Sequence, residues 1–202
     1  MKNKPLVIII SGPSQVGKDT IVTQLYKQKS LNFKKAVTYT TRKKRPEERE
    51  GRDHFYITTK KFLSLIKQDF FIEWAPVRDK LFGTSFKSIQ EILAEHKNVL
   101  LKIDVRGARQ VRKKIINVKS IFILPESLES IIIRMKRKGF KGADFKTRLR
   151  EAKHEIAEAK KYDFQVVNYD DQLAKTVKQV ALIIKLLTKG VEIVKIKKKL
   201  NY

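Results

Sequence analysis

An α/β fold, with a mainly parallel central sheet flanked by helices, is what this chain predicts. Three observations carry it: short continuous apolar runs, amphipathic stretches alternating with them, and a glycine-bounded loop between the first run and the first amphipathic stretch. The 202 residues suit one domain with inserted lobes, and 42% hydrophobic content supplies a core.

The elements follow in order. "PLVIIIS", between Pro5 and Gly12, reads as a strand buried on both faces. From Lys18 to Lys29 the apolar residues Ile21, Val22, Leu25 and Tyr26 recur at helical spacing. "FKKAVTYTT" reads as one short strand leading into the polar "TRKKRPEEREGRDH". "TKKFLSLIKQDFF" and "SFKSIQEILAEHK" are amphipathic helices, and "NVLLKIDV" and "KSIFILP" are buried strands, each followed by helical pattern. "YDFQVVN" is a last strand, and "QLAKTVKQVALIIKLLTKG" a final helix closed by Gly190. Residues from about 38 to 86 break the alternation and read as an inserted lobe.

Composition narrows the function classes. The chain has no cysteine, which excludes disulfides and thiolate metal sites and suits a cytoplasmic protein. No run of about 18 apolar residues offers a membrane span. The basic-then-apolar start resembles a secretory signal, but its apolar run is short and enters the glycine loop, so that reading is rejected. Forty-six Lys and Arg against 21 Asp and Glu give a net charge of +25 and favour anionic partners. The basic residues are dispersed over solvated faces, and nucleic acid is not the expected partner. The basic tail "VKIKKKLNY" is expected to be frayed and solvated, although it leaves an RNA or lipid contact open.

The loop carries the first chemistry. Gly12, Pro13, Ser14, Gln15, Val16, Gly17 and Lys18 form a G-x-x-x-x-G-K pattern between strand and helix, the context in which backbone N–H groups cradle phosphates. Lys18 would lie along the phosphates as a mobile point charge. Asp19 stands where a hydroxyl usually holds Mg²⁺, and Thr20 offers a hydroxyl one residue on. Either is a candidate metal ligand. A second anion site follows: Arg42 and Arg45 lie three apart, and guanidinium groups match phosphate bidentately. Further on, Glu73 in "FIEWA" is an acceptor able to pair with the N1–H and 2-amino donors of guanine, and Thr84 in "FGTS" is a hydroxyl.

The series "GPSQVGK", "TTRKKRPEEREGRDHFY", "FIEWA", "FGTS", "IDVRGA", "SIFILPES" and "VVN" resembles bacterial guanylate kinase from residue 6 to about residue 185. The resemblance implies a P-loop NTPase fold: a core at about 1–37, 87–133 and 156–188, a GMP-binding lobe at about 38–86, a small lid at about 134–155 and a basic tail at 189–202. It implies Mg²⁺-dependent transfer from ATP to GMP, and to dGMP, in purine nucleotide metabolism. By position it assigns the loop from Gly12 to Thr20, with Asn168 near the adenine, to ATP. Thr38, Arg42, Arg45, Glu73, Thr84 and Asp104 go to GMP, and Lys18, Arg42, Arg134 and Arg148 to a cationic cage around the transferred phosphoryl group. His54 and Phe82 stand where the family has GMP-binding tyrosines, Lys102 replaces an acid, and Lys138 an arginine. Either a monomer or a homodimer is compatible with these features. Two alternatives stay open: a ribose 1,5-bisphosphate phosphokinase-like enzyme, or a non-catalytic kinase-like nucleotide- or RNA-binding module.

Overall fold

In a computed structural model, residues 5–77 and 79–200 are described; the first four residues of the expected core and the last two of the basic tail lie outside them. The central sheet contains β1 (Val7–Ser11), β2 (Phe33–Lys34), β7 (Asn98–Lys102), β8 (Lys119–Pro125) and β9 (Phe164–Asn168), in the order β2-β7-β1-β8-β9. Every pairing in it is parallel. All five residues of β1 are buried because the strand sits at the middle of the sheet with helices on both faces.

Strand alternation explains the two-layer core. Ile8 and Ile10 face one side, where they pack with α1 (Lys18–Tyr26), α5 (Leu128–Arg137), α6 (Gly142–Ala157) and α7 (Leu173–Thr188). Val7 and Ile9 face the other, against α3 (Phe86–Ala94) and α4 (Val105–Lys114). Helix starts follow capping chemistry. Ser85, Asp104 and Ser127 each accept a backbone N–H from three residues on, at the heads of α3, α4 and α5.

A second sheet forms the lobe: β3 (Thr38–Thr40), β4 (His54–Tyr56), β5 (Phe71–Val77) and β6 (Lys80–Ser85), ordered β4-β3-β6-β5. The helix α2 (Thr59–Lys67) closes it through Phe62 and Leu65, with the Phe62 ring stacked on Phe71 at 4.5 Å.

Two expectations need correction. "FKKAVTYTT" is not one strand: β2 pairs with β7 in the core sheet, β3 pairs with β4 and β6 in the lobe, and residues 35–37 cross between them. β-propensity alone does not reveal this, because each half takes its partner from a distant segment. The tail is not frayed over its described length. Ile193–Lys199 form a helix, α8, whose Ile196 is fully buried against the core and keeps the segment folded despite its lysines.

Candidate functional site

The glycine loop joins β1 to α1 at the carboxyl edge of the parallel sheet, where ligands of open α/β sheets bind. Its shape demands glycine at both ends. Gly12 has φ of 147°, and a Cβ there would lie 2.4 Å from the Ile123 carbonyl oxygen. Gly17 has φ of 96°, and a Cβ there would lie 2.8 Å from Asn168 Nδ2. Gln15 also adopts positive φ. Asn168 is buried beneath the loop, donating from Nδ2 to the Val16 carbonyl at 2.9 Å.

Lys18 folds back over the loop, donating to the carbonyls of Gly12 and, at 2.9 Å, Pro13. Burial holds its ammonium below the usual lysine range, opposed by the charges of Glu155 and Asp19. Glu155 comes from α6 and accepts from the Ser14 N–H. Burial pushes its carboxyl up to about 7, against the pull of Lys18. The loop therefore holds backbone donors and a lysine beside a carboxylate. An anion arriving there would meet groups that already bind negative oxygen.

Asp19 is exposed at the loop mouth and pairs with Lys102 at the end of β7. Thr20 is exposed on α1. Arg134, on α5, donates from Nη1 to the Gln15 carbonyl at 3.1 Å and from Nε to Asp170 at 3.0 Å, behind the loop.

The lobe builds its site from side chains. Thr84 Oγ1 donates to Glu73 Oε1 at 2.6 Å, with Glu73 6% exposed and Thr84 1%. Burial lifts the Glu73 carboxyl to about 7, with the nearby Asp104 charge adding to it. Glu73 lies on β5 and points inward. Thr38 Oγ1 and His54 Nδ1 lie 2.6 Å apart, and the His54 ring meets Phe82 edge-on at 5.7 Å. Arg42 forks onto Glu48, Nη1 donating to Oε2 at 3.0 Å and Nη2 to Oε1 at 2.6 Å. The Arg45 N–H and the Tyr56 hydroxyl donate to the same carboxylate at 2.9 and 2.8 Å. Those bonds, from Arg42 first, hold Glu48 down at about 2.

Two open cavities bring most of these residues together. One, of 590 Å³, is lined by Lys35, Thr38, His54, Glu73, Phe82 and Thr84 on the lobe side and by Asp19, Lys102 and Asp104 on the core side. The other, of 1170 Å³, runs between loop, lobe and α6 past Ser14, Arg42, Arg45 and Arg148. Asp19, Val77, Phe82 and Asp104 line both, so the two are continuous. Arg148 is held by Asp144 at 2.9 Å and lies over the Phe140 ring at 4.2 Å. Of the loop only Ser14 and Asp19 line a cavity; Lys18 and the other loop residues, with Thr20, Arg134 and Asn168, line neither.

Three contributors were missed from the sequence. Glu48 aligns both arginine segments; an acid inside a basic motif was its signal. Gln110 of α4 accepts from the Trp74 N–H at 3.1 Å and donates to its carbonyl at 2.8 Å, fixing the strand that carries Glu73. Glu155 is the third, and nothing in its local pattern marks it.

Comparison with known proteins places the fold and the family. The family profile described as guanylate kinase matches residues 2–187. Guanylate kinase of Onion yellows phytoplasma (strain OY-M) is 38% identical over 187 residues, covering 92% of this chain and 87% of the relative. That of Mycoplasmoides gallisepticum is 37% identical, covering 91% and 94%. The crystal structure of guanylate kinase from Anaplasma phagocytophilum superposes with a TM-score of 0.70 at 26% identity, covering 93% of this chain and 88% of that one. The loop between β1 and α1 and the parallel sheet are those of a P-loop NTPase, and the chain belongs to the guanylate kinase family.

Proposed function

We propose that the chain transfers the γ-phosphoryl group of ATP to GMP, giving ADP and GDP, with dGMP as a second acceptor. The single observation that carries this reading is the buried Glu73–Thr84 pair opening into a cavity that runs on to the glycine loop. A carboxylate acceptor backed by a hydroxyl suits the adjacent N1–H and 2-amino donors of guanine; adenine presents no such pair. A ribose bisphosphate acceptor would leave this buried pair with nothing to read.

The loop from Gly12 to Thr20 would hold the ATP phosphates through backbone N–H groups and the dipole of α1. On phosphate binding, Lys18 would swing from the Gly12 and Pro13 carbonyls to the anion, and Glu155 would give up the Ser14 N–H. Arg42, Arg45, Thr38 and His54 would surround the acceptor phosphate, with Arg148 facing them across the wider cavity. Arg134 would steady the loop and turn toward the transferred group as α6 closes, while Asn168 keeps the loop's shape from below. Phosphoryl transfer asks mainly for in-line placement and cations around the equatorial oxygens, which this set would supply.

Mg²⁺ fits through Asp19. Its exposed carboxylate lines both cavities, and a cation that keeps waters and phosphate oxygens needs only one or two such ligands. Among the described residues there is no cluster of three or more His, Cys, Asp or Glu that would form a self-sufficient cage. When bound, Mg²⁺ would neutralise charge on the β- and γ-phosphates. Lys102 would then release Asp19.

Coupled ADP release, screened over GMP, AMP, CMP, UMP and ribose 1,5-bisphosphate with ATP and Mg²⁺, tests the reading. GMP is expected to lead. No turnover with any acceptor, or turnover led by the bisphosphate, would sink it.

A further inference from the structure

We propose that Lys35 is a further binding residue for the phosphate monoester of the acceptor nucleotide, and that it adds to the preference of this site for a nucleotide over its nucleoside. The proposal rests on reading the lobe-side cavity as the guanylate acceptor site.

Lys35 is the first residue of the crossing from the core sheet to the lobe sheet, directly after β2 and three residues before Thr38. It lines the cavity that also contains Thr38, His54, Glu73 and Thr84. That cavity has three carboxylates in its wall, Asp19, Glu73 and Asp104, and two lysines, Lys35 and Lys102. Lys102 pairs with Asp19 and would be freed from it only when Mg²⁺ is bound. Lys35 has no ion pair among the described residues, whereas the adjacent Lys34 pairs with Glu95 at 2.5 Å, outside the cavity.

A phosphate dianion entering a wall this acidic needs an uncommitted cation. The other groups lining that end of this cavity supply little net charge. Arg42, paired with Glu48, and Arg45 line the wider cavity and would reach the phosphate from there, and Phe82 has no donor. Burial, with Lys35 and Arg42 adding to it, lowers the His54 pKa, so the imidazole is largely neutral at pH 7; the acids Glu48 and Asp53 oppose them. The Lys35 charge acts on both His54 and Asp53, and His54 meets Thr38 in the wall of the cavity that Lys35 lines. With guanine against Glu73 and Thr84, the monoester would lie at this opposite end, within the arc of a flexible lysine.

Calorimetric titration of GMP and of guanosine into wild-type protein, Lys35→Ala, Lys35→Arg and Lys34→Ala tests the assignment. Lys35→Ala is expected to weaken GMP about tenfold and leave guanosine unchanged, because one charge-assisted contact is lost. Lys35→Arg should restore most of the GMP affinity, and Lys34→Ala should alter neither ligand. In steady state the KM for GMP should rise with kcat and the KM for ATP unmoved. Unchanged GMP affinity in Lys35→Ala, equal losses for GMP and guanosine, or an equal loss in Lys34→Ala would each overturn the proposal. Wild-type protein that binds no GMP would overturn the acceptor reading itself, and this assignment with it.

Discussion

The two halves of the site are built from different material. The glycine loop is made of backbone, and its shape is dictated by contacts a Cβ would break at Gly12 and Gly17. It hangs from β1, a strand with every residue buried, so the donor array is held by the rigid part of the molecule. The acceptor lobe is made of side chains that hold one another: Thr84 on Glu73, Glu48 on Arg42, Thr38 on His54. It stands on a core of three buried residues, Phe62, Leu65 and Phe71, and leans on α4 through Gln110. A backbone cradle suits phosphate, which every nucleotide carries. A side-chain array suits a base, which must be told from other bases.

That division gives a graded set of expectations. Lys18→Ala should cost the most, about 10²–10³-fold in kcat, because it would remove the charge proposed to swing onto the reacting phosphates. Single-turnover kinetics with ATP and GMP would check it, and GMP binding should be spared. A Lys18→Ala protein with full kcat would mean the loop does not hold the reacting end.

Next comes pH. Glu73 must be ionised to accept from guanine, and burial has lifted it to about 7, so GMP affinity should fall toward tenfold per unit as pH drops well below 7. Stability moves the other way. A carboxyl raised from 4.5 to about 7 in the folded state stabilises the fold most at low pH, and that contribution is lost as pH rises through this window. Weaker binding on acidification would therefore not arise from unfolding at this residue. Titrations of GMP across pH 5.5 to 8 in wild-type protein and in Glu73→Gln check it, the dependence disappearing in the variant, whereas ATP binding keeps the separate dependence set by Glu155.

Glu48→Ala should raise the KM for GMP about tenfold by releasing Arg42 and the Arg45 segment together, with the KM for ATP unchanged. Gln110→Ala should act more gently, a few-fold on the same parameter, since it loosens the strand carrying Glu73 without touching ligand. The smallest effect on the site should come from Ile196→Ala. It should cost about 2–5 kcal/mol of stability by thermal or denaturant unfolding and leave kcat/KM unaltered below the transition.

The same division explains what could be read before any coordinates. The strand, loop and helix around Gly12, Gly17 and Lys18 were legible because backbone geometry restricts residue choice locally. Four of the five parallel strands, β1, β7, β8 and β9, were legible from apolar runs that helices cover on both faces. Arg42, Glu73 and Thr84 were legible as residue types, and as a group only through their resemblance to a family. Their geometry was not, since it depends on the Glu48 carboxylate shared by Arg42 and the Arg45 backbone and on an amide of Gln110 thirty-six residues beyond Trp74. The break inside "FKKAVTYTT" and the docking of α8 were hidden for the same reason: each is decided by a distant surface.

The most direct test compares kcat/KM for GMP with kcat/KM for AMP, in wild-type protein and in Glu73→Ala. Base selection by the buried carboxylate predicts a large preference for GMP that collapses in the variant, while the KM for ATP stays put. An undiminished preference in Glu73→Ala would contradict it.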